Sequence, residues 1–216
     1  MKKMILLLLL VPFTMFAKFY DGTINLNDGS AKTGLIEIPS DPGQQNLKFK
    51  TDLKAKAENI SINDIKDFDI TDGNDKIPTK FIAMNLAKGA LFGDCKVDKK
   101  KSWVRIEKEG KITLYSSYIG YRPAVRYGNG NGTSGWPPQT YFYLGRPGIN
   151  YATFFWMYIE SGGGSVAINN FKVIKRLTKS HFQNNCPTLE SFIEKDDFKT
   201  NGITRIVDLY EEHCGK

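Results

Sequence analysis

The sequence contains few of the residues by which most enzymes are recognised. Among 216 residues there are only two histidines, His181 and His213, and both lie near the C-terminus. A Ser-His-Asp triad in the preceding part of the chain would therefore need its base from the C-terminal segment. Gly162-Gly163-Gly164 precedes strand-like residues and not a helix, so it does not form a phosphate-binding motif. The sequence predicts no catalytic residue, no metal site and no cofactor, and an enzyme is the less favoured class.

Cysteine is also scarce, with three residues at positions 95, 186 and 214. Cys186 and Cys214 bracket one compact helical segment, and an oxidising compartment favours their pairing as a disulfide. Cys95 is then left over as a buried thiol. The alternative is a zinc site that adds the two histidines. We disfavour it because the adjacent side chains of His213 and Cys214 point in different directions from a helix.

Long apolar runs are absent except at the N-terminus. Lys2-Lys3 precedes an apolar stretch at residues 5–11, and Met15-Phe16-Ala17 ends in a small residue. This pattern is typical of a signal peptide, and Pro12 helps make the stretch too short for a membrane span. We expect cleavage after residue 17 and an exported chain that is periplasmic, outer-membrane-associated or secreted, with no transmembrane span. An uncleaved signal anchor is the alternative.

The charge balance is not strongly one-sided. The whole chain carries 30 basic and 23 acidic side chains, and loss of Lys2 and Lys3 leaves a surplus of five positive charges. The densest basic patch, residues 96–111, is more typical of a solvated hairpin edge than of a site for acidic lipids or polyanions. Nucleic acid is not an expected partner. The acidic group at Asp64, Asp67, Asp69 and Asp72 lacks the spacing of a calcium loop, so we interpret it as solvated turn carboxylates.

Strand signals fill residues 18–168. Asn27-Asp28-Gly29 separates two alternating apolar segments, which predicts a first hairpin. Leu47 and Phe49 alternate with lysines, as on a half-buried strand. Further strands are expected at residues 60–70, 79–86, 103–107 and 111–121, and many short strands at this spacing favour a sandwich or a barrel.

The composition changes near residue 169, and residues 169–216 predict a small helical tail. Apolar residues at 171, 174, 177 and 182 suit a first helix, capped by Asn169 or Asn170. Pro187 opens a second helix, and a third covers residues 203–212. A tail of this size is not stable alone, so we expect it to pack on the β-rich domain. The predicted fold class is α+β: a predominantly antiparallel β sandwich or partly open barrel with a small C-terminal helical subdomain.

Aromatic residues are concentrated in one stretch, with thirteen between positions 115 and 158. Strict alternation would place Phe154, Trp156 and Tyr158 on one face of a strand, and Phe155, Met157 and Ile159 on the other. One interpretation is a surface that binds sugars or a partner protein, with the glycine-rich loop 128–132 as a flap. The favoured interpretation is a strand buried on both faces. The candidate ligand-binding residues are Trp136, Tyr141, Tyr143, Trp156 and Tyr158, with Trp136 foremost because it lies in a loop.

Two short stretches carry a resemblance. Gly22-Thr23-Ile24 through Thr33-Gly34-Leu35-Ile36, followed by residues 60–70, resembles the start of uncharacterised exported proteins of Bacteroidetes-type bacteria. The segment from His181-Phe182 through Asn185-Cys186-Pro187 to Cys214 resembles their tail. The likeness covers about a third of the chain and implies an envelope or secreted location. It brings no activity.

These observations together predict a non-catalytic, envelope-associated or secreted module for binding or assembly, with an unknown protein or glycan partner. The alternative is a hydrolase acting on cell-wall or glycan material through acidic residues that spacing alone does not identify.

Overall fold

A computed structural model describes residues 18–71, 78–87, 96–126, 132–133, 135–161, 164–165 and 171–215. Several predicted features lie outside these residues, so their predictions stay as such. They are the signal segment 1–17, Asp72, Cys95, most of the glycine-rich loop, Gly162-Gly163 and the helix cap at residues 169–170.

The described strands follow one another along the chain up to Ser165. They are β1 Phe19–Leu26, β2 Ala31–Glu37, β3 Asn46–Lys50, β4 Glu58–Ser61, β5 Ile65–Thr71, β6 Thr79–Ala87, β7 Val97–Lys108, β8 Thr113–Ile119, β9 Val125–Arg126, β10 Gly132–Thr133, β11 Gln139–Gly145, β12 Tyr151–Ser161 and β13 Gly164–Ser165.

One mostly antiparallel sheet contains all of these strands except the small pair β9–β10. Its order is β13-β12-β11-β8-β7-β6-β5-β1-β2-β3-β4. Strand β12 also pairs in parallel with β6, with Ala152 opposite Leu86. Strands β6, β7, β8, β11 and β12 therefore close on themselves, and we call them the strand ring. The predicted fold class, a β-rich and partly closed architecture with C-terminal helices, is confirmed.

The first hairpin forms as predicted. Its turn depends on Asp28, whose carboxylate accepts hydrogen bonds from the backbone N–H and the hydroxyl of Ser30. Gly29 adopts a φ of 87°, which favours glycine. In the middle of the hairpin Gly22 lies opposite Gly34. A Cβ atom at Gly22 would come within 2.1 Å of the Asp69 carbonyl oxygen, so a side chain there would push β5 away.

Strands β1 to β5 curl around an N-terminal core, which Trp103 of β7 completes. The indole N–H of Trp103 donates to the Gln44 carbonyl at 2.8 Å, and the Phe68 side chain meets the Trp103 ring edge-on. Burial of alternate residues on these strands matches the predicted period of two. The core consists of Ile24, Ile36, Leu47, Phe49, Ile60, Ile62, Ile65, Phe68, Ile70 and Trp103.

The C-terminal helices differ in part from the prediction. Helix α1, Phe171–Phe182, has the predicted extent, and α3, Arg205–Cys214, begins two residues later than predicted. The segment after Pro187 forms only a short 3-10 helix, Leu189–Phe192, because the backbone turns extended at Ile193. Helix α2, Lys195–Asn201, was not predicted; only one of its side chains, Phe198, is buried, so it has no apolar periodicity.

The disulfide between Cys186 and Cys214 is present, with the two Cα atoms 5.8 Å apart, which confirms the predicted pairing. It joins the end of α3 to the loop after α1. Within the described part of the chain, no helix has the length and apolar character needed to cross a membrane.

The helices pack on the outer surface of the strand ring. We call this contact the tail core. It is formed by Ile112, Leu114, Leu144 and Phe155 from the sheet side and by Ile174, Leu177, Phe182, Cys186, Leu189, Ile193, Phe198, Ile206, Val207 and Leu209 from the tail.

Candidate functional site

A bulge in β12 decides which aromatic side chains face outward. Phe142 of β11 lies opposite Trp156, whereas the next residue, Tyr143, lies opposite Phe154. Phe155 is therefore an extra residue, and the alternation of faces shifts by one position. The predicted division of these aromatics between two faces is wrong, because it assumed an uninterrupted period of two.

The outer face at this bulge is covered by the tail. Phe155 is fully buried in the tail core, and its ring meets His181 edge-on at 5.5 Å. Trp156 packs against the same core beside Phe142. Tyr158 lies two residues beyond Trp156, opposite Thr140, and is half-buried. Two of the five candidate ligand-binding residues therefore lie on the side of β12 that faces the tail.

The other three candidates, Trp136, Tyr141 and Tyr143, meet at a cavity in the mouth of the strand ring. Its volume is about 590 Å³. The cavity brings together residues from all five ring strands and two loops. They are Asp41, Pro42, Gly43, Leu86, Ala87, Asp98, Ser102, Ser117, Ile119, Trp136, Gln139, Tyr141, Tyr143, Phe154, Met157 and Ile159.

Hydrogen-bonding groups inside the cavity are mostly neutral. The Tyr143 side chain hydrogen-bonds Ser117, while burial raises the pKa of the Tyr143 phenol above its usual value. The Tyr141 hydroxyl donates to the Gln139 side-chain oxygen. Ser117 and Gln139 are themselves buried. The Tyr143 phenol therefore stays protonated at neutral pH, and the cavity offers both donors and acceptors within an apolar wall.

Two loops form the rim of the cavity, one at residues 41–43 and one that contains Trp136, and polar contacts join them. Arg122 forms an ion pair with Asp41 at 3.0 Å. The backbones of Arg122 and Trp136 exchange hydrogen bonds of 3.0 and 2.8 Å, which hold the indole at the rim. The Pro42 carbonyl oxygen accepts a hydrogen bond of 2.8 Å from the backbone N–H of Trp103. Trp136 is held in place while 58% of its surface stays exposed.

No catalytic group of histidines or metal ligands is assembled by the described residues. They contain no cluster of three or more His, Cys, Asp or Glu side chains that could hold a metal ion. His181 is a buried residue in the last turn of α1, and its Nε2 atom lies 2.8 Å from the Phe154 carbonyl oxygen. His213 stacks on Phe192 in the tail, at 3.5 Å between ring centroids. In the acidic group near residues 64–72, Asp67 is buried and accepts from the Asn25 amide.

Several cavity residues were not predicted from the sequence. Met157 and Phe154 were assigned to opposite faces, and only the bulge brings them to the same side. Ser117 and Gln139 carried no distinctive signal, because each adjoins another polar residue, Ser116 or Thr140, on its strand. Asp98 carried none, since it lies among surface lysines in the sequence.

Comparison of the chain with protein-family models, with curated proteins and with solved structures found no match.

Proposed function

We propose that this protein is a non-catalytic binding module whose ligand occupies the cavity of the strand ring. The ligand class that suits the cavity is a flat, ring-bearing molecule with one or more hydroxyl groups, such as a sugar or a phenol. The observation that carries this proposal is a preformed cavity in which aromatic side chains and neutral hydrogen-bonding groups face the same space. Its volume falls within the range of small-molecule sites.

Each wall of the cavity supplies one part of the recognition. Tyr141, Tyr143 and Trp136 combine large apolar area with a polar atom, which suits stacking on a ring together with a hydrogen bond to its substituents. Met157 supplies an adaptable apolar surface. Since most of the lining comes from paired strands, little ordering is needed when a ligand enters.

We also propose that the protein works outside the cytoplasm, in the cell envelope or beyond it. The N-terminal sequence pattern and the resemblance to exported proteins support this location. The Cys186–Cys214 disulfide agrees with it, because disulfides persist mainly in oxidising compartments.

Hydrolysis of a glycan is the second candidate function, and two carboxylates at the cavity favour it, Asp41 and Asp98. A glycosidase needs two carboxyl groups that act on opposite sides of one bond. Asp41 is engaged by Arg122 in the ion pair at the rim. Binding without hydrolysis is therefore the better-supported proposal.

A thermal-shift screen of the chain from Lys18 onward tests the proposal. The panel contains monosaccharides, oligosaccharides, cell-wall fragments and simple phenols. A ligand present at about 100 times its Kd stabilises a protein by about 2.7 kcal/mol, which raises the Tm by several degrees. We expect Trp136→Ala and Tyr141→Ala to remove the shift. Tyr121→Ala is the matched control, because Tyr121 is exposed and does not line the cavity.

A shift that is equally large in all three variants would contradict a site in the cavity, and a panel without any shift would contradict the ligand class. Release of cleaved saccharide that is abolished by Asp98→Asn would replace the binding proposal with the hydrolase.

A further inference from the structure

A second concave site lies on the outer surface of the strand ring, in the gap between the two regions that cover it. The N-terminal core covers one side of the gap and the tail covers the other. Ile38 and Pro39 form the first wall, and Ile203 and Thr204 form the opposite wall. The groove has a volume of about 490 Å³. It is distinct from the cavity proposed above, which lies on the inner side of the ring, although Pro42 and Ser117 border both.

The floor of the groove is a single row of residues in register across four strands. Phe81 of β6 lies opposite Arg105 of β7, which lies opposite Ser116 of β8. Ser116 in turn lies opposite Phe142 of β11. Two polar residues are thus flanked on both sides by half-buried aromatic rings, and the exposed Tyr118 adds a third ring to the groove.

The polar centre of this row is held in one arrangement by Glu107. Its carboxylate accepts two hydrogen bonds of 2.8 Å from the Arg105 guanidinium. It also accepts a hydrogen bond from the hydroxyl of Ser116, which is buried. Arg105 keeps further N–H groups for a ligand, and about half of its side chain is exposed at 49%. The ion pair carries no net charge. Because its hydrogen bonds fix the orientation of the side chains, the centre presents donors and acceptors of fixed direction.

Packing alone does not require this centre. Apolar side chains in place of a partly buried ion pair are often neutral or stabilising. The row is polar at the point where both covers end.

We propose that this groove binds a neutral oligosaccharide. Hydroxyl groups of a sugar both donate and accept, as the Arg105–Glu107–Ser116 centre does. The apolar faces of sugar rings suit Phe81, Phe142 and Tyr118. A strongly anionic chain is less suitable because Glu107 neutralises Arg105, and a purely apolar ligand would leave the ion pair desolvated.

Protein-observed ¹⁵N NMR on the chain from Lys18 onward tests this site. The probes are maltotriose, cellotriose, mannotriose and the trimer of N-acetylglucosamine, with trigalacturonate as the acidic comparison. We expect at least one neutral trimer to shift the Arg105 Nε–H resonance and the Tyr118 amide. Arg105→Met and Tyr118→Ala should each weaken that binding about tenfold or more, as expected for a charge-assisted hydrogen bond or a stacking ring.

Two control variants separate this groove from the cavity and from charge alone. Trp136→Ala, at the cavity rim, should leave the trimer affinity read from the Arg105 and Tyr118 resonances unchanged, whatever it does to binding in the cavity. Arg105→Lys keeps the charge but loses the forked geometry, so it should weaken binding nearly as much as Arg105→Met. Tyr118 is exposed, so Tyr118→Ala keeps the test valid even if Arg105 variants fold poorly.

The proposal is overturned if no neutral trimer shifts the groove resonances at about 20 mM, a concentration that detects even weak binding. It is also overturned if the shifts are confined to cavity residues, or if only trigalacturonate binds. A response confined to the cavity would support the proposed function and reject the groove, so the two failures are distinguishable.

Discussion

At the scale of single residues, His181 has the most unusual environment in the described part of the chain. Burial lowers the pKa of its imidazole to about 4, and the nearby Arg146 guanidinium acts in the same direction. The hydrogen bond to the Phe154 carbonyl opposes the shift only in part. The Nδ1 atom is buried without a hydrogen-bond partner among the described residues. The imidazole is therefore neutral in the folded protein down to acidic pH.

This environment predicts acid sensitivity. The unfolded chain binds a proton at His181 near pH 6.5, whereas the folded chain does so only near pH 4. The contribution of His181 to the free energy of unfolding is therefore fully present above about pH 6.5 and is lost as the pH falls towards 4. Between pH 7.5 and 4.5 this single group should lower the free energy of unfolding by about 2–3 kcal/mol. Urea titrations at the two pH values measure the loss.

The control for this prediction is His181→Gln, which removes the titrating group while the carboxylates of the protein still titrate. The pH dependence should shrink in His181→Gln. An equal loss of stability in the wild type and in His181→Gln would show that other groups cause it.

At the scale of elements, local patterns predicted the structure where neighbours in sequence make the contacts. The first hairpin was predicted because Asn27-Asp28-Gly29 carries its own turn chemistry, and α1 because its apolar spacing is regular. The bulge at Phe155 was not predictable, because it depends on the register of β12 against β11 and on the tail that receives the extra side chain. The sequence of helix α2 shows no helical periodicity of apolar residues, because the helix buries only one apolar side chain, Phe198.

The disulfide is the element-scale feature with the clearest expected effect. Cys186 and Cys214 are separated by 28 residues, and closing such a loop in the unfolded chain stabilises the folded state by about 3–4 kcal/mol in the entropy model. Cys186→Ser combined with Cys214→Ser should lower the Tm by about 10 °C. Differential scanning calorimetry, with and without reductant, measures this change.

The wild type should lose the same stability on reduction, whereas the double variant should be insensitive to reductant. A wild-type Tm that reductant leaves unchanged, in protein whose thiols have been shown to be reduced, would contradict a stabilising role for the bridge.

At the scale of the whole molecule, two separate regions cover the outer surface of the strand ring. The N-terminal strands cover one part and the helical tail covers another. The N-terminal core includes Trp103 of the ring, and the tail core includes Leu114, Leu144 and Phe155. Sequence patterns identified some apolar positions of both cores, such as Leu47, Phe49 and Ile174, but not the ring between them. Its closure depends on the parallel pairing of β6 with β12, and no local pattern encodes which distant strands meet.

Removal of the tail tests this arrangement. A chain that stops after Ser165 would expose the outer face of β8, β11 and β12, including Phe155 and Trp156. We expect several-fold stronger fluorescence of the dye ANS and self-association in size-exclusion chromatography, because an apolar patch of this kind is rarely left uncovered. A truncated chain that stays monomeric and binds no more ANS than the full chain would contradict a covering role for the tail.

The parallel pair also has a consequence for the order of folding. Residues 151–153 must be available before they can meet Asn85, Leu86 and Ala87, so the ring closes only after most of the chain has been made. The N-terminal core needs few residues beyond Trp103 and is able to assemble earlier. Contacts between such distant segments slow folding, because the loop entropy is lost before the pairing is gained. Ring closure, and with it the formation of the cavity, is therefore a late step in folding.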